Sequence, residues 1–363
     1  MRLISTLAAT SAALALAGCG QGAETNAAAG AAGGGQTGGS ADQVWVAGSS
    51  TVFPFATRVS EQVSRTTGGT AAKVESLGTG GGIKLFCGGL GASYPDVATA
   101  SRPMKKSEWE ACQQAGVTDI VELKIGYDGI VVANARTGAD YDLKAEHLYR
   151  ALAADMPSGQ GFAANTAKTW RDVDPALPAD RIQVYGPPPT SGTRDAFVEL
   201  GMEAGAQAVP ALKALKSSDE TAFKQRAHTL RSDGAWIDSG ENDNAIIQTL
   251  EKTPGSVGVF GFSFLDNNLD KVKPAAIGGV KPTMAAISDG SYPLSRSLFI
   301  YVKKANVETK PSLKPYVSAF VSDAAAGRGG YLLERGLIPL PDAERKAQQA
   351  AVAGLTPMAA PEK

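Results

Sequence analysis

The sequence predicts an α/β protein whose strands lie mostly parallel. Between Val44 and Gln114 a short apolar strand, a Gly/Ser loop and a helical stretch follow one another three times. Parallel sheets produce that pattern because each crossover between strands is a helix. A further junction of the same kind, the strand Arg181–Tyr185 followed by a helix starting close to Thr193, stands far downstream. The 363 residues, 43% of them hydrophobic, suffice for one large domain or two medium ones with a proper core.

Val44-Trp-Val46 is the first strand and runs into Gly48-Ser-Ser-Thr51; Phe55, Val59 and Val63 then recur at helical spacing as far as Ser64. Ala72 to Leu77 is the second strand, followed by a loop over Gly78–Gly82 and a helix through Ile83, Leu85 and Phe86. Asp96 to Ala100 is the third and leads into Ser101-Arg-Pro-Met104. Pro103 is expected in the first turn of a helix that Ser107 to Gln114 continues. Val121 to Ala133 reads as two apolar runs interrupted by Gly126–Gly129. Glu146 to Ala153 reads as a helix, Pro157 to Thr169 as a Gly/Asn-rich loop, and Trp170–Val173 precedes a proline-punctuated connection. Pro187, Pro188 and Pro189 stop the strand Arg181–Tyr185, and Ala196, Phe197 and Leu200 define a long helix from Arg194 to Glu203. Asp219–Leu230 is amphipathic, Ala245–Glu251 and Pro315–Ala326 are helices, Gly258–Phe262 is a Gly-spaced strand, and Arg296–Val302 is a strand of high β-propensity.

The ends differ from this body. Arg2 and the Ala/Leu-rich run Leu3–Leu16 form a leader too short to span a bilayer, so residues 1–18 read as a signal peptide. Leu16-Ala-Gly-Cys19 resembles the lipobox of bacterial lipoproteins, which implies cleavage before Cys19 and lipid on its sulfur. Residues 19–41 are Ala/Gly-rich and without apolar period, a disordered tether with a mean span of about 25 Å. The Ala/Pro composition beyond Gln348 predicts a frayed tail over residues 346–363. Cys87 and Cys112 are an even pair in an exported chain, so a disulfide is expected, worth about 3 kcal/mol by loop closure. With 35 basic and 36 acidic residues, nothing in the balance points to nucleic acid.

The chemistry sits at the strand–helix junctions. Gly48–Thr51, Gly78–Gly82, Ser101–Arg102 and Ser191–Arg194 all join a strand to the next helix, and in open α/β sheets such loops gather at the carboxyl edge where ligands bind. Together they offer hydroxyls, glycine-exposed amides, helix N-termini and two arginines. Donors dominate, so the expected ligand is a small oxyanion. An enzyme reading would use Ser50 or Ser191 as the nucleophile of a secreted phosphate-ester hydrolase, but neither His147 nor His228 stands in a motif that would supply a base. No His/Cys/Asp grouping suits a catalytic metal, and Gly78–Gly82 lacks the endings of a P-loop or a dinucleotide turn. Neither catalysis nor a cofactor is expected.

The ordered set Gly48-Ser-Ser-Thr-Val-Phe-Pro54, Gly78-Thr-Gly-Gly-Gly-Ile-Lys84, Ala100-Ser-Arg-Pro103, Gly129-Ile-Val-Val-Ala-Asn134, Thr169-Trp170 and Ser191-Gly-Thr193 resembles the phosphate-binding proteins of bacterial phosphate ABC importers. The resemblance covers about Val44 to Pro339 and implies a type II periplasmic binding fold, two α/β lobes joined by two crossover strands with one phosphate in the cleft. It places the crossovers near Gly126–Val132 and Tyr292–Val302, with residues 42–125 and 290–345 in the first lobe and 126–289 in the second. It also implies a monomer held in the periplasm or at the cell surface by its lipid alone, with the permease subunits as partner. Carried over position by position, Thr51 and the Val52 amide contact phosphate beside Ser50; Thr79 replaces a phosphate-binding serine; and Ser191, Gly192 and Thr193 bind from the second lobe.

Two departures stand out. Familiar members carry an aspartate after the serine of the third loop, where this chain has Arg102, and an arginine where this chain has Pro187. The cation is then expected at Arg102, following Ser101, with help from Arg194, as in a sub-branch marked by Ala-Ser-Arg-Pro, Ser-Gly-Thr-Arg and the Gly240–Asn244 run. Phosphate near neutral pH still carries a proton, so preferring it to sulfate needs one acceptor. Asp128, Glu241 and Asp243 are the candidates. Arsenate, sulfate or molybdate are the alternative ligands for the same fold.

Overall fold

The computed structural model describes residues 42–159, 161–240 and 242–362. The expectations for the leader, Cys19, the tether and Glu241 lie outside the described residues.

Strand β1 (Trp45–Gly48) leads into α1 (Phe53–Thr67), whose first turn holds Pro54 and whose end is set by left-handed Gly68, φ 70°, donating to Ser64 O. Strand β2 (Lys73–Ser76) leads into α2 (Gly78–Phe86), and β3 (Val97–Ala100) precedes α3 (Lys106–Gln114). Two expectations change here. The glycines 78–82 form the first turns of α2 rather than a loop ahead of it, and they let the helix lie against β1. A Cβ on Gly82 would stand 2.2 Å from Gly48 Cα. Pro103 lies before α3, which starts instead where Glu108 Oε2 accepts from the Lys105 amide at 2.9 Å.

Strand β4 (Ile120–Ala135) runs unbroken for 16 residues, because Tyr127 exchanges backbone hydrogen bonds with Ile338 and pairing continues past the glycines. After β5 (Asp142–Leu143) and α4 (Ala145–Leu152), the expected Gly/Asn loop is a hairpin, β6 (Asp155–Ser158) with β7 (Gly161–Ala164). Helix α5 (Trp170–Val173) and β8 (Val184–Gly186) follow. The long helix expected from Arg194 divides into α6 (Gly192–Phe197), a π-helical turn over Val198–Met202 and α7 (Glu203–Gln207). Next come α8 (Pro210–Ser218), α9 (Glu220–His228), β9 (Trp236–Asp238), α10 (Asp243–Lys252), β10 (Val257–Gly261), α11 (Phe262–Asp266), β11 (Val272–Pro274), β12 (Ala276–Ile277) and α12 (Met284–Ser288). Strand β13 (Ser295–Lys303), α13 (Lys304–Thr309), α14 (Leu313–Phe320), α15 (Asp323–Ala326) and α16 (Asp342–Gly354) complete the chain. Rather than fraying, the last segment is held: Lys124 N donates to Gln348 Oε1 at 3.1 Å and Met358 N to Ile120 O at 2.8 Å.

The main sheet has the order β2-β1-β3-β13-β4-β10-β8-β9, with β11 alongside β4. The strands β1, β2 and β3 are parallel, as are β10, β8 and β9. Between these groups β13 runs antiparallel to β3 and β4, and β10 antiparallel to β4. Residues 120–129 of β4 pair with β13, and 130–134 pair with β10. Each group of parallel strands has its own core. One gathers Val46, Val59, Leu123, Ile125, Ile300 and Phe320; the other gathers Ile130, Tyr149, Trp170, Phe197 and Phe260. The largest of these side chains contribute on the order of 2–3 kcal/mol each. The core changes between Ile125 and Tyr127 on β4, and between Leu294 and Leu298 at β13. A smaller cluster surrounds the bonded pair Cys87–Cys112, which links α2 to α3.

Candidate functional site

The carboxyl ends of β1, β2, β3 and β8 carry the four loops singled out in the sequence, and the first of them meets the last. Thr51 Oγ1 donates to Gly192 O at 3.4 Å. A Cβ on Gly192 would lie 2.9 Å from both Ser50 O and Thr51 Cα, so only glycine allows this approach. Ser49 N donates to Thr99 O at 2.9 Å and fixes the first loop against β3. Thr51 and Val52 are buried, and their amides precede the first turn of α1, where the helix leaves its N–H groups without intrahelical acceptors. Thr79 Oγ1 accepts from Ser101 N at 3.1 Å and lies 3.0 Å from Ser101 Oγ, so the second and third loops hold each other. Across the cleft, Ser191 Oγ caps α6 by accepting from Thr193 N at 3.2 Å.

The expected cations are engaged by carboxylates. Arg102 donates to Glu108 through both terminal nitrogens, at 2.9 and 2.7 Å, and to Pro103 O at 3.0 Å. Those bonds to Glu108 hold the guanidinium above its ordinary range against the opposing effect of burial. Burial pushes the Glu108 carboxyl up, but the Arg102 hydrogen bond, the Lys105 amide and the charges of both residues together hold it below its ordinary value. Arg194 lies over the Trp236 ring at 4.4 Å and donates to Asp238 Oδ1 and Pro187 O, each at 3.1 Å. Burial lowers its pKa against the pull of Asp238. Arg194 thus braces the proline loop and α6.

The residue that sequence reasoning missed is Arg296. From β13 it donates to Thr51 Oγ1 at 2.6 Å, to Asp128 Oδ2 at 3.4 Å and to Glu199 Oε2. In the sequence it reads as one more residue of a β-prone strand. Only the register, which sets Arg296 opposite Asp128, brings it to the first loop. Burial raises the Asp128 carboxyl while Arg296 pulls it back down. Asp243 is the first residue of α10, buried, and accepts from Gly261 N at 3.1 Å. Each arginine of the cleft is therefore already matched by a carboxylate, and an arriving anion meets amides, hydroxyls and helix ends rather than bare positive charge.

Two groups of parallel strands that direct their carboxyl-end loops into one cleft, on either side of two shared strands, define a cleft-type binding protein. The chain belongs to the PBP superfamily: the family profile described as PBP superfamily domain matches residues 29–324. Protein SphX of Synechocystis is 31% identical over 310 residues, covering 84% of this chain and 80% of that protein. The phosphate-binding protein PstS of Staphylococcus saprophyticus is 28% identical over 346 residues, 94% of this chain and 91% of its own. Among solved structures, a possible phosphate binding protein from Planctomyces limnophilus superposes with a TM-score of 0.68 at 28% identity, covering 86% of this chain and 98% of that one. PstS from Borrelia burgdorferi, at 18% identity, shares the fold with a TM-score of 0.54 over 83% of this chain and 99% of its own. The type II periplasmic binding fold expected from the sequence is the one observed.

Proposed function

We propose that this chain captures inorganic phosphate outside the cytoplasm and passes it to an ABC permease, closing the lobe of residues 42–125 and 290–345 against that of 126–289. Lipid on Cys19 and the Ala/Gly stretch after it would hold the folded body near a membrane, as a monomer. The observation that carries the reading is the meeting of Thr51 with Gly192. It brings the α1 amides, the Thr51 hydroxyl and the Ser191-Gly-Thr193 turn around one small volume, with Arg296 behind it. Fixed donors of this kind can replace the water shell of a small dianion, whose desolvation is otherwise costly. The relatives whose names refer to phosphate binding support the same ligand. Ser50, Val52, Thr79, Ser101 and Thr193 complete the proposed site; Arg102 and Arg194, held by Glu108 and Asp238, border it, and Asp128, beside Arg296, is the proposed acceptor of the phosphate proton.

The two histidines serve elsewhere, His147 Nε2 facing Asp174 Oδ2 at 3.2 Å and His228 Nε2 facing Glu203 Oε1 at 2.7 Å, which argues against a serine hydrolase. Calorimetric titration with phosphate, arsenate and sulfate tests the reading. One phosphate per chain is expected, with sulfate far weaker and no turnover of a chromogenic phosphate ester. Tighter binding of sulfate or molybdate, or catalytic turnover, would overturn it.

A further inference from the structure

Arg296 is 8% exposed and divides its donors among groups from three parts of the fold. One terminal nitrogen serves Thr51 of the first loop, Nε serves Asp128 on β4, and the other terminal nitrogen serves Glu199 on the π-helical turn. The two carboxylates are held differently. Asp128 is 13% exposed and stands opposite Arg296 in the β4–β13 register, so strand pairing fixes it. Glu199 is 47% exposed and reaches Arg296 from the far side of the cleft on its side chain alone. A carboxylate presents a guanidinium with the same pair of oxygens that a phosphoryl group presents.

We propose that Glu199 is a competitor for Arg296: whenever the cleft closes without an anion its carboxylate takes one terminal nitrogen of the guanidinium, and an oxyanion must displace it there, so that Glu199 sets the affinity of the site. The inference rests on the phosphate reading and deepens it. An oxyanion seated against Thr51 reaches the edge formed by the two terminal nitrogens, and one of these is taken by Glu199. Release of Glu199 is inexpensive because a half-exposed carboxylate returns readily to water. Release of Asp128 would leave a buried charge without its partner. Glu199 therefore yields while Asp128 stays. The chain gives up some affinity and gains a group ready to retake Arg296 when the anion leaves.

Calorimetry with inorganic phosphate on the parent chain, Glu199→Gln and Glu199→Asp tests this, with thermal melts confirming that each is folded. Both variants are expected to bind about two- to five-fold tighter, the range of a partly exposed ion pair. Glu199→Asp keeps the charge but withdraws it by one methylene, so it separates contact from field. Tightening in Glu199→Gln alone would reduce the effect to a general field and overturn the proposal. Unchanged or weaker binding in both would overturn it too. In either case phosphate binding by the parent chain would leave the phosphate reading standing, whereas absence of binding in all three would overturn both.

Discussion

Arg296 and Arg102 make opposite predictions about where the anion's positive partner resides. Arg102 is saturated by Glu108 through a paired contact, whereas Arg296 lies against the Thr51 hydroxyl. Arg296→Met should therefore cost phosphate affinity on the order of 2–5 kcal/mol, as truncating one partner of a buried charged contact does. Arg102→Ala should cost at most a few-fold, and calorimetry on the two variants decides; a larger loss at Arg102 would return the cation to the third loop. Asp128→Asn replaces the carboxylate acceptor by a neutral amide and should weaken phosphate far more than sulfate, and equal losses would exclude it as acceptor. The hydroxyl and glycine positions were legible in the sequence because each belongs to a local strand–loop–helix junction. Arg296 was not, since its meeting with Asp128 and Thr51 depends on a register between segments separated by 168 and 245 residues.

At the scale of elements, the starts of α1 and α6 matched expectation, whereas the starts of α2 and α3 and the pairings set by other segments did not. Pro54 at the start of α1 and the Ser191 cap of α6 announce themselves, whereas the β6–β7 hairpin owes its existence to main-chain pairing between two four-residue segments, Asp155–Ser158 and Gly161–Ala164. Helix α16 likewise hides in an Ala-rich tail and is ordered by docking on β4. Lys303, at the end of β13, is another case in which tertiary context rules. It is 1% exposed, donates to Gly89 O at 2.6 Å and lies 4.8 Å from the centre of the Phe86 ring. Burial lowers its ammonium to about 8, opposed by Asp96 and reinforced by Lys310. The unfolded chain keeps its proton up to about 10.4, so between these values the unfolded state binds more protons and stability rises with pH. The cost of the buried charge is thus fully present below pH 8 and relieved above about 10.4. Urea unfolding of the parent and Lys303→Met across that window should show the parent gaining on the variant as pH rises. A constant difference would mean that Lys303 is not held charged against its burial.

For the whole molecule, the described residues fall within one compact unit in which the two cores share β4 and β13 and the cleft loops touch. Two glycines separate closure from folding. Gly82 packs α2 on β1 within one group of strands, where a Cβ would meet Gly48 Cα at 2.2 Å. Gly192 packs across the cleft, where a Cβ would meet Ser50 O and Thr51 Cα at 2.9 Å. Neither backbone has a positive φ that alanine would refuse. Overpacking against backbone costs roughly 1–3 kcal/mol. For Gly82→Ala that cost falls on folding itself, so melting should drop by the same amount with and without phosphate. For Gly192→Ala it falls only on the closed form, because opening the cleft removes the clash. The ligand-free melt should then hold near the parent's. The phosphate-dependent rise, worth about 2.7 kcal/mol for the parent at a hundred times its Kd, should shrink by most of that cost, with affinity falling roughly 5- to 150-fold. Thermal melts of both variants with and without phosphate make the comparison. If Gly192→Ala lowered the ligand-free melt as Gly82→Ala does, the Thr51–Gly192 contact would belong to the resting fold, and anion capture would not require the two lobes to close.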